Sequence, residues 1–389
     1  MKYCNFCLQP DTRPGTRLSI DGLCPACIYS QNLNNIDWKE RYEILQNIIE
    51  KKIKSKKNNL NSQKKSKFNK HYDCVIGVSG GKDSTRQALY VRDKLKLKPL
   101  LVCLAYPPEQ ITNLGASNIS NLINLGFDVE ILSLAPQNWK KLLKTAFMKY
   151  ANWAKASEHA LYATVPRIAI RYKIPIIFWG ENPAIQFGDL NTKGKEEYEG
   201  SNLSKMNTLG GGKIDWLYKF GFEEKNIFNF SYPKKSEFKK NNVENIYLGW
   251  FFANWNIKKN ASFSILYGLN LREDHYKNTQ DLYGIYSLDE DWVTLNQMIK
   301  YYKYGFGRVS DYVCDDIRFG QITRNEGVKI LEKYDGKCGE KYIKSFCEYI
   351  DISLNTFWRV VHKHVNKKLF KIEKNNNIKP LFKVGKGLI

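Results

Sequence analysis

An apolar run of strand length, Asp73-Cys74-Val75-Ile76-Gly77-Val78, passes directly into Ser79-Gly80-Gly81-Lys82-Asp83-Ser84, and Asp83 to Leu95 then follows helical spacing. A strand, a two-glycine turn and a helix in that order constrain the backbone more than any other feature of this 389-residue chain. The glycines let main chain approach an anion with no Cβ in the way. N–H groups at the helix start have no partner within the helix, and the helix dipole favours negative charge there. Ser79 and Ser84 add hydroxyls, Lys82 a mobile positive charge, and Asp83 a carboxylate able to hold Mg2+. The spacing is neither GxxxxGK[ST] nor GxGxxG. Ser79, Gly80, Gly81, Lys82, Asp83 and Ser84 are therefore the candidate phosphate-binding residues. Lys82 and Asp83 are also catalytic candidates, because they can offset developing phosphate charge.

Periodicity extends this unit into an array. Leu100–Ala105, Val129–Leu134, Pro175–Trp179 and Asn245–Gly249 read as further strands. Helical spacing covers 118–125, 137–152 and 158–172 between them. Alternating strands and helices predict an α/β fold, a doubly wound parallel five-stranded sheet with its ligand at the carboxyl ends of the strands. Upstream, residues 36–53 have helical spacing with Asp37 as N-cap, and 51–70 read as a solvated linker or frayed helix end. Gly210-Gly211-Gly212 and Tyr232–Lys235 read as loop. Beyond Trp250 the chain is aromatic-rich and mostly helical, with helices near 290–303, 324–334 and 339–349.

Four of the nine cysteines fall in the first 27 residues, as Cys4-x2-Cys7 and Cys24-x2-Cys27. That is the spacing of a structural Cys4 zinc ribbon, although an iron–sulfur cluster accepts the same ligands. So short a segment cannot fold on apolar burial alone, and a bound Zn2+ would supply the missing free energy.

A second group follows the fourth strand. Gly180, Glu181 and Asn182 reach the same strand-end crevice, where Glu181 and Asn182 contact nucleotide, metal or substrate, or else the Asn182-Pro183 pair simply makes a turn. Farther on, Arg308, Arg318 and Arg324 are candidates for binding carboxylate or phosphate, with a structural role as the alternative. Thr323 with Glu326 reads as a helix capping box. The five histidines form no metal or nucleophile pattern. The net charge of +22 suggests nucleic acid, but nine of those charges lie in residues 51–70, and nucleic acid is not the expected partner. No apolar run is long enough for a membrane span, and Met1-Lys2-Tyr3-Cys4 begins no signal peptide, so a cytoplasmic setting is expected.

The hexapeptide Ser79–Ser84 resembles the PP-loop, SGGxDS, of enzymes that cleave ATP between the α- and β-phosphates. Joined to Pro10-Asp11-Thr12-Arg13-Pro14-Gly15, the two CxxC pairs, Trp179–Ala184, Tyr247-Leu248-Gly249 and the run from Tyr304 to Arg324, it resembles the N-acetyl sugar amidotransferase family. One departure is Ile185-Gln186-Phe187-Gly188, where that family leads one to expect an acidic and an aromatic residue before the glycine.

The resemblance implies an ATP- and Mg2+-dependent enzyme that turns an N-acetyl group of a nonulosonate or uronate sugar into an acetamidino group. It implies pathways such as O-antigen or flagellar glycan synthesis, with pseudaminic- or legionaminic-type sugars among the candidates. It divides the chain into a zinc ribbon (1–30), a helix and Lys-rich linker (31–70), an ATP-binding α/β domain (71–250) and a helical substrate- or partner-binding region (251–389). Residue 2 is Lys and Cys103 sits in a strand, so no glutaminase nucleophile is evident. The implied ammonia source is a separate glutaminase subunit with a synthase-like partner. A tRNA-thiolating PP-loop enzyme is the alternative; it needs reactive core cysteines, and only Cys74 and Cys103 lie in the expected sheet.

Overall fold

Continuous apolar runs favour strands buried on both faces, because successive side chains point to opposite sides of a sheet. In the computed structural model, which describes residues 1–61, 71–206 and 213–389, such runs form β1 (Cys74–Gly77), β2 (Pro99–Ala105) and β4 (Ile176–Trp179), while the edge strands β3 (Val129–Ser133) and β5 (Glu244–Tyr247) carry polar residues, β3 being only partly buried. All pair in parallel in the order β3-β2-β1-β4-β5, with Cys74 opposite both Pro99 and Ile176. The expected doubly wound α/β sheet is therefore present. The order reverses between β1 and β4, and such a switch point opens a crevice at the strand ends.

Each face of the sheet has its own cover. Ile76, Leu101 and Phe178 pack under α2 (Trp38–Asn61), α3 (Lys82–Asp93) and α4 (Asn113–Asn124). Val75, Val102 and Ile177 pack on Val165, Ile168 and Ala169 of α6 (Ala154–Arg171), which follows α5 (Pro136–Tyr150). Asp37 caps α2 by accepting from the N–H groups of Lys39 and Glu40 at 2.9 and 3.0 Å. That helix runs to Asn61, beyond the expected residue 53. Lysine has good helix propensity, and the Glu50–Lys54 pair at 3.1 Å supports the turn where the linker was expected to begin. Residues 62–70 and the Gly210–Gly212 turn lie outside the described residues. Helix α4 starts five residues before its expected position, because Thr112 Oγ1 caps it by accepting from Gly115 N at 2.8 Å.

The remaining elements lie outside the sheet and its flanking helices. The ribbon carries α1 (Pro25–Gln31), and α7 (Pro183–Gln186) follows β4. Three short helices, α8 (Asp215–Tyr218), α9 (Glu224–Ile227) and α10 (Lys235–Asn241), lead to β5. Then come α11 (Ile257–Leu266), α12 (Tyr276–Thr279), α13 (Val293–Tyr304), α14 (Arg308–Arg318), α15 (Arg324–Tyr334), α16 (Glu340–Tyr349) and α17 (Leu354–His364). Two short antiparallel pairs that periodicity did not announce finish the chain, β6 (Phe370–Ile372) with β7 (Ile378–Pro380), and β8 (Phe382–Lys383) with β9 (Gly387–Leu388). Among the described residues, no helix is long and apolar enough to cross a membrane.

The C-terminal helices share a core with α5 and α6. Phe147 of α5 stacks on Phe357 of α17 at 5.1 Å and meets Phe346 of α16 edge-on at 5.3 Å. Phe147→Ala should lower unfolding free energy by about 3–5 kcal/mol in chemical denaturation. A loss confined to one of two separate transitions would show that the helical region and the sheet do not fold together.

Candidate functional site

At the end of β1 the chain turns at Gly80, whose φ of +75° is the left-handed region that glycine tolerates. A Cβ there would lie 2.9 Å from Asn118 Cβ, so glycine is required by space as well. Gly81 occupies the N-cap position of α3, and no side chain caps the helix. Its first N–H groups therefore stay available to an anion. The turn is held from behind by residues far along the chain. Asn260 Nδ2 donates to Asp83 Oδ1 at 2.6 Å, and Ser264 Oγ donates to Lys82 O at 2.6 Å. Arg86 donates to Asn260 Oδ1, so α11 and α3 form one hydrogen-bonded unit. Lys82, 3% exposed, pairs with Asp83 at 2.8 Å and stands 3.7 Å from the centre of the Tyr286 ring.

Ser79, Gly81, Lys82, Asp83 and Ser84 line a cavity of about 590 Å³, while Gly80 shapes the turn behind them. Gly180, Glu181 and Asn182 line it too. Glu181 opens onto the lumen but is enclosed by protein. That enclosure pushes its carboxyl above the ordinary range; Asp83 adds to the effect, while Lys82 and Arg308 oppose it. Asn182 is spent largely on local structure. Its Oδ1 caps α7 by accepting from Ile185 N at 3.4 Å, and its Nδ2 donates to Glu197 O at 2.8 Å. The turn reading holds for its side chain. Two donors missed by the sequence reading lie beside Gly180. Gln87 Nε2 and Trp255 Nε1 are buried, line the cavity and have no hydrogen-bond partner among the described residues. A buried unmet donor costs ~1–3 kcal/mol, so these two fit a polar ligand seated against the loop. Together with the loop and its uncapped helix, they fit a nucleotide.

The far end of the cavity is cationic. Arg308, at the start of α14, reaches it and lies 4.0 Å from Asp311. Lys300 of α13 lies 3.4 Å from the same carboxylate. Arg13, from the Pro10–Gly15 block, forms an ion pair with Asp311 and stacks 4.3 Å from the Phe306 ring centre. Burial pushes the Lys300 ammonium down to about 8, with Arg13 and Arg308 adding to the effect and Asp311 opposing it. Of the other expected arginines, Arg318 lines the cavity wall but is committed to Asp315 at 3.7 Å and to Gln186 O at 3.3 Å. Arg324 is not brought to the cavity; its Nη2 donates to Cys4 O at 3.3 Å, because α15 packs against the ribbon. Thr323 and Glu326 form the expected capping box. His159 is buried in α6 and does not line the cavity.

The ligand atoms of Cys4, Cys7, Cys24 and Cys27 all lie within 4.8 Å of one another. Sγ of Cys4 is 3.8 Å from that of Cys27, and Sγ of Cys7 is 3.7 Å from that of Cys24. A tetrahedron of sulfurs bound at ~2.3 Å to one ion has edges of about 3.8 Å. An iron–sulfur cube spreads its thiolates wider, since each binds a different iron. Backbone N–H groups of Cys24 and Gln9 point at Cys4 Sγ and Cys7 Sγ at 3.2 and 3.3 Å, which suits sulfurs carrying negative charge. The donor set fits a single metal ion.

Comparison with known proteins agrees with the C-terminal part of this picture. Residues 252–384 match the family described as "LPS biosynthesis protein WbpG-like, C-terminal domain". The match bears out the resemblance to the N-acetyl sugar amidotransferase family. No curated protein matches the chain. Similar solved structures include the U34-tRNA thiolase NcsA from Methanococcus maripaludis with its [4Fe-4S] cluster, at 15% identity and TM-score 0.29, covering 77% of this chain and 88% of that one. The NH3-dependent NAD synthetase from Campylobacter jejuni is similar at 16% identity and TM-score 0.27, covering 62% of this chain and 100% of that one. The NMN synthetase from Francisella tularensis is similar at 16% identity and TM-score 0.27, covering 53% of this chain and 91% of that one.

The cysteine cluster shares its core with Val309, Val313 and Ile317 of α14, so metal loss should loosen that helix. Metal analysis should find about one ion per chain, and stripping it should lower the melting temperature by ~5 °C or more. A chain that is metal-free as purified and equally stable would contradict the cluster's role.

Proposed function

We propose that the chain is an ATP-dependent, AMP-forming amidotransferase acting on an acetamido sugar of nonulosonate or uronate type. The observation that carries this reading is that an anion-binding loop and a cationic pocket open into one cavity of about 590 Å³, within the size range of small-molecule sites. The WbpG-like match supports lipopolysaccharide sugar biosynthesis as the setting. Pseudaminic- and legionaminic-type sugars are candidate substrates within the class.

An amide oxygen is a poor leaving group. In the proposed reaction it attacks the α-phosphorus of ATP, and pyrophosphate departs. Ammonia then adds to the imidate carbon, AMP leaves with the oxygen, and a proton is lost. The uncapped start of α3 and Lys82 would hold phosphate charge during the first step. Asp83 would supply a ligand for Mg2+, which offsets phosphate charge when bound. Glu181, which lines the cavity and whose carboxyl is pushed above the ordinary carboxylate range, would take the proton released after ammonia adds. The reaction also requires that water be kept from the activated amide while substrate is bound. Zn2+ is the proposed ion of the cysteine cluster, since it favours a closed tetrahedral Cys4 set.

The four-part division of the chain stands as part of this proposal, with residues 251–389 as the substrate side. Ammonia would come from a separate glutaminase subunit through a synthase-like partner, in the cytoplasm. The thiolation alternative is not favoured: Cys103 is buried in β2, where desolvation pushes its thiol up to about 12.

Mass spectrometry of candidate acetamido sugars incubated with enzyme, MgATP and ammonium should reveal a product about one mass unit lighter, formed with AMP. Lys82→Met should lower kcat by about 100-fold or more. Release of ADP instead of AMP would sink the proposal.

A further inference from the structure

The cation cluster is under-neutralised. Arg13, Lys300 and Arg308 come from the ribbon, α13 and α14, and among the described residues Asp311 is the one carboxylate within 4.0 Å of them. Beyond that distance, Glu181 attracts Arg308 across the cavity, and Asp335 spends its oxygens elsewhere, accepting from Gly307 N at 2.8 Å, Val309 N at 3.2 Å and Ser310 Oγ at 2.7 Å. Arg13 is also incompletely bonded: its side chain is 12% exposed and its Nε, buried, has no hydrogen-bond partner among the described residues. Three enclosed cations sharing one carboxylate are costly unless an anion joins them. Arg13, Lys300, Arg308 and Asp311 all line the cavity.

Arg13 reaches this place only because the ribbon is docked. Thr12 Oγ1 donates to Tyr304 O at 2.5 Å, Gln9 Nε2 to Phe187 O at 2.7 Å and Thr16 Oγ1 to Gly188 O at 3.2 Å. Gly15 turns at a φ of +78° with no room for a Cβ against Asp189. The metal knot thus holds one wall of the cavity rather than a remote stability element.

Resting on the reading of this cavity as the sugar site, we infer that Arg13, Lys300 and Arg308 form a subsite for a carboxylate on the sugar, and that the ribbon's metal sets its affinity through Arg13. The ligand class is a carboxylate-bearing acetamido sugar. Its neutral counterpart should bind weakly, because the excess positive charge would remain uncompensated. Asp311 holds the three cations in register, and the incoming carboxylate takes the donors that Asp311 leaves open.

The test uses the metal-loaded full chain and calorimetry with two matched pairs: UDP-N-acetylglucosaminuronate against UDP-N-acetylglucosamine, and N-acetylneuraminate against its methyl ester. The wild type should favour the acid by about tenfold or more in at least one pair. Arg13→Gln and Lys300→Met should each erase that preference, while ATP affinity changes less than about twofold and metal content stays intact. Arg13→Lys should keep part of it. Chelating the metal should reduce the preference as Arg13→Gln does. No preference in either pair, or a preference that survives both substitutions, overturns the subsite. The readout is binding, so it stands or falls separately from the proposed chemistry, which AMP formation tests.

Discussion

Everything at this site depends on a helix that begins without a cap. Lys82 opens α3, and the side chains that normally satisfy such a start are missing. An uncapped start is tolerable only where something else meets its N–H groups, and it must be rigid to be useful. Here the rigidity comes from sequence far away. Ser264 and Asn260 of α11 grip Lys82 O and Asp83 from behind, and Arg86 ties α11 back to α3. The anion cradle is thus a joint product of the first βα unit and the C-terminal region, which is why that region cannot be regarded as an appendage.

The other end of the cavity is assembled by the same logic. A thirty-residue segment has too little apolar surface for a core of its own. The cysteine cluster borrows one from α14, whose Val309, Val313 and Ile317 lie against it. Arg13 is carried inward by this docking. Arg318 lies 4.0 Å from Cys7 Sγ, where burial lowers the pKa of its guanidinium but Cys7 and Asp315 outweigh it and raise the value above the ordinary one.

Legibility in the sequence followed range. The inner strands β1, β2 and β4 were readable because a strand buried on both faces is an unbroken apolar run, as in Leu100–Ala105, whereas the edge strands β3 and β5 showed through shorter apolar stretches between helices. The phosphate turn and the cysteine knot were readable because their functional groups lie within a few residues of each other. Helix α14 carries its own signal, since Val309, Tyr312, Val313 and Ile317 fall at helical spacing, but the arginines and aspartates among them pointed to a polar site instead. The last four strands are two or three residues each, too short to show alternation. Arg13 and Lys300 were invisible as a pair: one sits in a turn, the other among tyrosines on a helix, and their shared Asp311 is 298 residues from Arg13. Arg324 looked like its neighbours in sequence but faces the ribbon backbone. Local pattern reported residue chemistry well and placement poorly wherever placement came from docking.

Tyr286 joins the two ends of the cavity. Its loop is gathered by Asp281, which accepts from the N–H groups of Tyr283, Gly284 and Tyr286. The ring this loop presents stands 3.7 Å from Lys82 Nζ and 5.0 Å from Arg308 Cζ. A cation over an aromatic face gains roughly 0.5–2 kcal/mol, more when desolvated. Both cations use the same ring at the cavity wall. Under the proposed function, negative charge arriving at the glycine turn would draw on Lys82 and negative charge at the far end would draw on Arg308, so each would change what the other cation shares. Coupling of that kind is reciprocal by thermodynamic necessity. A chain that must hold two anions a short way apart needs such a spacer: an aromatic ring separates the two charges without adding a carboxylate that would compete with either ligand.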